Sequence, residues 1–124
     1  MTYFVNGEHE AKYDEFLQEA NVGEKEYTVQ SVLYLLSSVP KIAKNIEQFF
    51  VLKGKYINPD EAERMELSTG ERIIVGLAFN LYNGYEMEGV DLSPHTVLSW
   101  LDKNLKNAYV QALGIKMGTN QSVA

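Results

Sequence analysis

The sequence predicts an all-α fold: a single compact domain of five or six short helices around a central buried helix at about residues 69–83, with room for one short strand or hairpin near 49–57. Three observations carry that expectation. Apolar residues recur at helical spacing through most of the chain, and capping residues stand where those runs begin. One run, from Ile73 to Leu81, is apolar around most of its axis, as a helix enclosed by neighbours should be. With 124 residues, 45% of them hydrophobic, the chain suffices for one core and is short for two.

The first helix is expected after Asn6, whose side chain caps the opening turn, with Glu8 and Glu10 at the positive end of its dipole. Tyr13, Phe16, Leu17 and Ala20 form one stripe, and Gly23 ends the segment. A second helix runs from about Glu26 to Ser38 on Val29, Val32, Leu33 and Leu36, until Pro40 disfavours helical geometry before it. Pro40 then suits the first position of a short third helix reaching about Gln48. Phe49 to Leu52 reads equally as a strand or as the end of that helix, and one loose helical turn fits within 60–67.

The clearest helix opens at Ser68, where Ser68-Thr69-Gly70-Glu71 has capping-box spacing, and closes at Gly84, a natural left-handed stop. Ser93-Pro94 then caps a helix whose apolar face is Val97, Leu98 and Leu101, with Trp100 beside it. Asp102 caps the last helix, which runs to about Lys116 through Leu105, Ala108, Tyr109, Ala112 and Leu113. The domain is thus read as residues 1–117, with 118–124 as a flexible polar tail.

Charge and composition narrow the function. The net charge is −6, which weakens nonspecific attraction to nucleic acid. Residues 1–26 carry seven acids against Lys12 and Lys25, whereas 41–55 carry Lys41, Lys44, Lys53 and Lys55 against Glu47. There is no cysteine, so disulfides, thiolate zinc sites and cysteine nucleophiles are excluded. The opening residues lack the basic and apolar regions of a signal peptide, and no apolar run approaches the ~20 residues of a membrane span. A cytoplasmic location without membrane contact is expected.

Residues Leu77-Ala78-Phe79-Asn80-Leu81-Tyr82-Asn83-Gly84, preceded by Ile57-Asn58-Pro59 and Ser68-Thr69, resemble a family of small uncharacterised proteins, a domain of unknown function from Gram-positive bacteria and their phages. The resemblance extends from Gly7-Glu8-His9-Glu10 to about Ile115 and departs after Pro59, where Asp60-Glu61-Ala62-Glu63-Arg64 replaces a glycine-containing segment. It implies a setting of phages and mobile elements, and it brings no catalytic role.

Chemistry-bearing constellations are sparse. His9, Glu10, Asp14 and His95 are the residues from which a metal site would be drawn, yet the bland reading is an acidic, solvated helix start and a helix-capping histidine. Glu61, Glu63 and Glu66, or Glu86 and Glu88, are candidate acid–base pairs whose simpler reading is solvated loop ends. No nucleophile elbow and no phosphate-binding loop occurs. Asn80, on an otherwise apolar helix, must either tie down a loop or line a pocket.

The expectation is therefore a non-enzymatic protein-interaction or modulator protein without cofactor or metal, its partner another protein. In the setting that the resemblance implies, it becomes a phage or mobile-element accessory factor inhibiting a host defence or regulatory protein. Tyr3, Phe4 and Tyr85, aromatic residues at element ends, are the candidate anchors. Lys41, Lys44, Lys53 and Lys55, interleaved with Phe49, Phe50 and Tyr56, are the candidate contacts of the alternative, a nucleic-acid-binding accessory protein. A small metal-dependent hydrolase is the second alternative.

Overall fold

A computed structural model describes residues 2–119. Its helices are α1 (Gly7–Glu19), α2 (Tyr27–Ser37), α3 (Pro40–Lys44), α4 (Pro59–Ala62), α5 (Thr69–Asn83), α6 (Pro94–Trp100) and α7 (Lys103–Lys116). One turn of 3₁₀ helix, Ile46–Gln48, leads into a hairpin of β1 (Phe50–Val51) and β2 (Tyr56–Ile57). The strands pair antiparallel, Phe50 opposite Ile57 and Val51 opposite Tyr56. The fold is all-α, and the two short strands are its whole β content among the described residues.

Helix starts follow the sequence closely. Asn6 accepts the His9 N–H at 2.8 Å, and Asp102 accepts the Leu105 N–H at 2.8 Å. Ser68 and Glu71 close a reciprocal capping box, and Gly84 ends α5 in the left-handed region at φ +79°. Pro40 sits at the start of α3, after an extended Val39. Instead of continuing to Gln48 as one α-helix, the chain leaves α3 at Lys44, and the hairpin absorbs Phe49 to Leu52. Phe49 and Phe50 are fully buried there.

Burial of α5 matches the expected central helix from Ile73 to Phe79, after which Asn80 emerges into solvent. Enclosure is more complete around α2, which packs against α1, α3, α5 and α7. Every residue from Ser31 to Val39 is buried. The reason is local: Val32 to Leu36 are five consecutive bulky apolar or aromatic residues, flanked by serines small enough to lie inside. Ser31, Ser37 and Ser38 each donate to a carbonyl three residues back, which removes the desolvation cost of their hydroxyls.

The segment before α1 runs along this core in extended form, and buried side chains supply the hydrogen bonds that a neighbouring strand would otherwise give. The Tyr3 N–H donates to Gln111 Oε1 at 2.8 Å, and the Tyr34 hydroxyl donates to the Tyr3 carbonyl. The Val5 N–H donates to His9 Nδ1 at 3.1 Å, while His9 Nε2 bonds the Tyr34 carbonyl at 2.8 Å. A carbonyl only accepts, so the ring proton resides on Nε2 and the ring is neutral. Phe4 closes the cluster, its ring 5.1 Å from His9 and 5.7 Å from Tyr34.

His9 is thus a core residue, 2% exposed, rather than part of a solvated helix start. The sequence misses this because Glu8 and Glu10 flank it, while the helical turn rotates it inward beside Tyr13 and Phe16. At the other end, Gly118 and Thr119 finish α7, donating to Ile115 and Gly114 carbonyls at 2.9 and 3.0 Å. Of the expected flexible tail, residues 120–124 lie outside the described residues.

Two outcomes follow from this packing. Burial lowers the His9 pKa from 6.5 to about 4, against the opposing bond to the Tyr34 carbonyl. The unfolded chain then binds the extra proton between pH 6.5 and 4, so stability is full above 6.5 and declines as pH falls toward 4. The loss is about 3 kcal/mol, to be read from urea unfolding at pH 7 and pH 4. A ring titrating near 6.5 by NMR would contradict the burial. Separately, Ser68→Ala should cost about 1 kcal/mol in urea unfolding by opening the capping box, whereas an unchanged midpoint would show that the cap is idle.

Candidate functional site

The last two helices carry most of the large hydrophobic side chains left exposed among the described residues. Among the described residues the exposed large hydrophobics are Tyr27, Tyr56, Leu98, Trp100, Val110 and Met117, and the last four lie on α6, on α7 or at the residue closing α7. The cause is the shortness of α6. Val97 and Leu101, four residues apart, point inward and are 3% exposed. Two turns of helix bury one such stripe, so Leu98 remains 57% exposed and Trp100 60%. The sequence reading places Leu98 on the buried face; the structure turns it outward.

Between α6 and α7 lies a groove of about 270 Å³, walled by Leu92, Pro94, Leu98, Tyr109 and Val110, with Lys106 at its edge. Asp91 fixes the first turn of α6. It accepts the Thr96 hydroxyl at 2.5 Å and the Ser93 N–H at 2.9 Å, and these bonds hold its carboxyl below the usual range. Gly76 fixes the other wall. A Cβ there would approach Leu92 Cδ2 and Val90 Cγ1 at 3.2 Å, so a glycine in mid-helix lets the 90–92 loop close on α5.

A second groove, about 450 Å³, lies on the other side of α6 against Trp100, Val5, Val39, Pro40 and Leu105. The N-termini of α1, α5 and α7 meet there, through Asn6, Ser68 and Asp102. Glu71 and Asp102 are its charged groups, and both accept capping bonds at 2.8 Å. Each helix start carries roughly half a positive charge, so the carboxylates and the dipoles largely cancel.

The residues expected from sequence fall elsewhere and do not converge. Tyr3 and Phe4 are half-buried, held by the core cluster rather than exposed as anchors. Tyr85 is half-buried edge-on against Phe79, 5.9 Å away. Lys41 and Lys44 are exposed on α3, where Lys41 donates to the Glu66 carbonyl, and Lys53 is exposed in the hairpin turn. Lys55 is committed: its ammonium reaches the Asn21 carbonyl at 2.9 Å and both Glu26 oxygens at 3.0 and 3.2 Å. Glu26 is held below the usual carboxylate range first by the Gly23 N–H and then by Lys55. With Phe49 and Phe50 buried, only Tyr56 of the three interleaved aromatics is open to stack a base.

The acidic candidates are similarly occupied or dispersed. Glu61 pairs with Arg64 at 3.5 Å and Glu63 with Arg72 at 3.8 Å, while Glu86 and Glu88 are exposed. Asn80 does reach a loop, donating to the Tyr85 carbonyl at 3.4 Å, from an exposed position. Among the described residues no three histidine, cysteine or acidic side chains are grouped to hold a metal, and no helix is long and apolar enough to cross a membrane. Sequence reasoning missed Leu98, Trp100 and Val110. The available signal was three bulky apolar residues, Val97, Leu98 and Trp100, within the seven of α6 and Leu101 directly after it, more than one stripe can bury.

Fold and surface together define a small helical domain with two grooves flanking a short, incompletely buried helix. The chain belongs to a family of unknown function (DUF6075), which it matches over residues 1–123. The match is wider than the stretch from Gly7 to Ile115 that the resemblance covered. No curated protein and no solved structure matches the chain. In the fold, the run Leu77 to Gly84 is where α5 leaves the core: Leu77-Ala78-Phe79 are buried, Asn80 and Asn83 are exposed, and Gly84 stops the helix.

Trp100, the only tryptophan, reports directly on this surface. Its fluorescence should be quenched by acrylamide nearly as efficiently as that of free tryptophan amide, and strong protection would show that the side chain is covered.

Proposed function

We propose that this protein is a non-enzymatic protein-binding module whose docking surface is the α6–α7 region. The observation that carries the reading is the apolar groove between α6 and α7, walled by Leu98 and Val110, 57% and 53% exposed, with Trp100 and Met117 also exposed on these two helices or at their end. Isolated exposed hydrophobics are ordinary; exposed residues that wall an apolar groove, as Leu98 and Val110 do, are a feature of interaction sites. Covering each such side chain with a partner regains about 1 kcal/mol of apolar burial. The surface is also pre-formed, fixed by the Asp91 clamp and by the close approach at Gly76, so little ordering cost opposes association.

The narrower reading is an accessory factor of a phage or mobile element that inhibits a host defence or regulatory protein. Its support is the family resemblance, which names the lysate in which a partner should be sought. The absence of cysteine supports action in the cytoplasm.

The test is site-specific photo-crosslinking in a Gram-positive host lysate, with the crosslinker at Leu98 and, as control, at Glu19 on α1. A discrete adduct should form from Leu98 alone. Leu98→Asp and Val110→Asp should each abolish capture by the affinity-tagged chain while leaving its circular dichroism unchanged and lowering its Tm only slightly, because both side chains are more than half exposed. Capture that survives both substitutions refutes this surface.

A further inference from the structure

Resting on that reading, we infer that the groove between α6 and α7 takes an acidic amphipathic helix of a partner protein, its apolar stripe on Leu98, Tyr109 and Val110 and its carboxylates on Lys103 and Lys106. On α7 the positions Lys103, Lys106, Asn107 and Val110 follow at i, i+3, i+4 and i+7 and form the face away from the buried Ala108, Gln111, Ala112 and Ile115. The exposed face ends at Val110, because Gly114, one turn further on, is buried; Met117 is exposed beyond it at the close of α7. From Lys103 to Val110 it spans about 10 Å at the helical rise, room for two turns of a docked helix. A trough between two helices with an apolar floor is the setting in which a third, amphipathic helix docks.

The charge pattern selects the sign of the partner. The chain carries −6 overall, but from Leu92 to Gly118 there are three lysines and a single acid, Asp102. Lys106 is the one charged residue lining the groove. Lys116 is engaged with Thr28 Oγ1 at 2.6 Å, whereas Lys103 and Lys106 form no ion pair among the described residues. Both also lie in the opening turns of α7, where a cation opposes the helix dipole and costs stability. Asp102 at the N-cap offsets that helix start, and the two lysines return this end of α7 to a net positive charge. Carboxylates flanking an apolar stripe complement that field; lysines there would be repelled.

The experiment uses the full chain and two synthetic 16-residue helical peptides with the same leucine stripe, one flanked by glutamates and one by lysines. Binding is followed by amide chemical shifts and by Trp100 fluorescence, at low and high salt. The glutamate peptide should bind, shift resonances around Leu98 and Val110, and weaken with salt; the lysine peptide should not. The K103Q/K106Q double variant should weaken the glutamate peptide about three- to tenfold, as expected for two exposed ion pairs, and Leu98→Asp should abolish binding.

Equal binding of both peptides overturns the acidic preference while leaving a protein-docking surface in place. Binding of neither overturns the inference, and the crosslink at Leu98 then decides the broader reading independently. Two further results overturn it: binding to phosphatidylglycerol vesicles in preference to the peptide, or a dimer by sedimentation that Leu98→Asp dissociates.

Discussion

The enclosure of α2 is the constraint on which the rest of the structure depends. A helix with no solvent face from Ser31 onward has to be covered by α1, α5 and α7 and by the extended residues before α1. Each polar group drawn in by that covering needs a partner. The serines of α2 return their hydroxyls to its own carbonyls, and Tyr34, His9 and Gln111 serve the backbone of Tyr3 and Val5. Among the described residues no buried side-chain nitrogen or oxygen lacks a partner. Such networks are stable when complete and costly when one member is removed. That explains why aromatic residues near the start of the chain, which resemble free anchors, are structural.

The same covering leaves α6 at the margin. Two inward residues tie it to the core, and the Asp91 hydrogen bonds together with the glycine at position 76 hold its entry fixed. A short helix held this way presents its remaining apolar side chains on a rigid support. Rigid support and exposed apolar area are the physical requirements of a docking surface, and they occur together nowhere else among the described residues. Of the other exposed hydrophobics, Tyr27 lies against Gly118 at the end of α7, and Tyr56 is on the hairpin.

Family membership and fold make opposite contributions to the functional reading. The family supplies no chemistry to transfer, so function has to come from what the surface is able to do. Its titratable groups are dispersed: His9 is sealed in the core, Glu61 and Glu63 are paired with arginines, and Lys55 is locked to Glu26. The lysines of the α3–hairpin region, adjacent in sequence, are likewise divided between exposed positions and internal bonds. What converges instead is apolar area with a basic edge.

By itself the sequence determined the helical class, the start of each long helix and the left-handed stop at Gly84. These are local properties, since a cap such as Asn6, Ser68 or Asp102 satisfies donors only two or three residues away. The buried run of α5 was legible for the same reason, through its unbroken apolar composition. Only the tertiary structure decided that α2 is the most enclosed helix, that His9 points inward between two glutamates, and that Leu98 points outward from an apolar run. Those outcomes depend on which face each helix turns to its neighbours. Periodicity gives the stripe but not its owner when a short helix carries more apolar residues than one contact can bury.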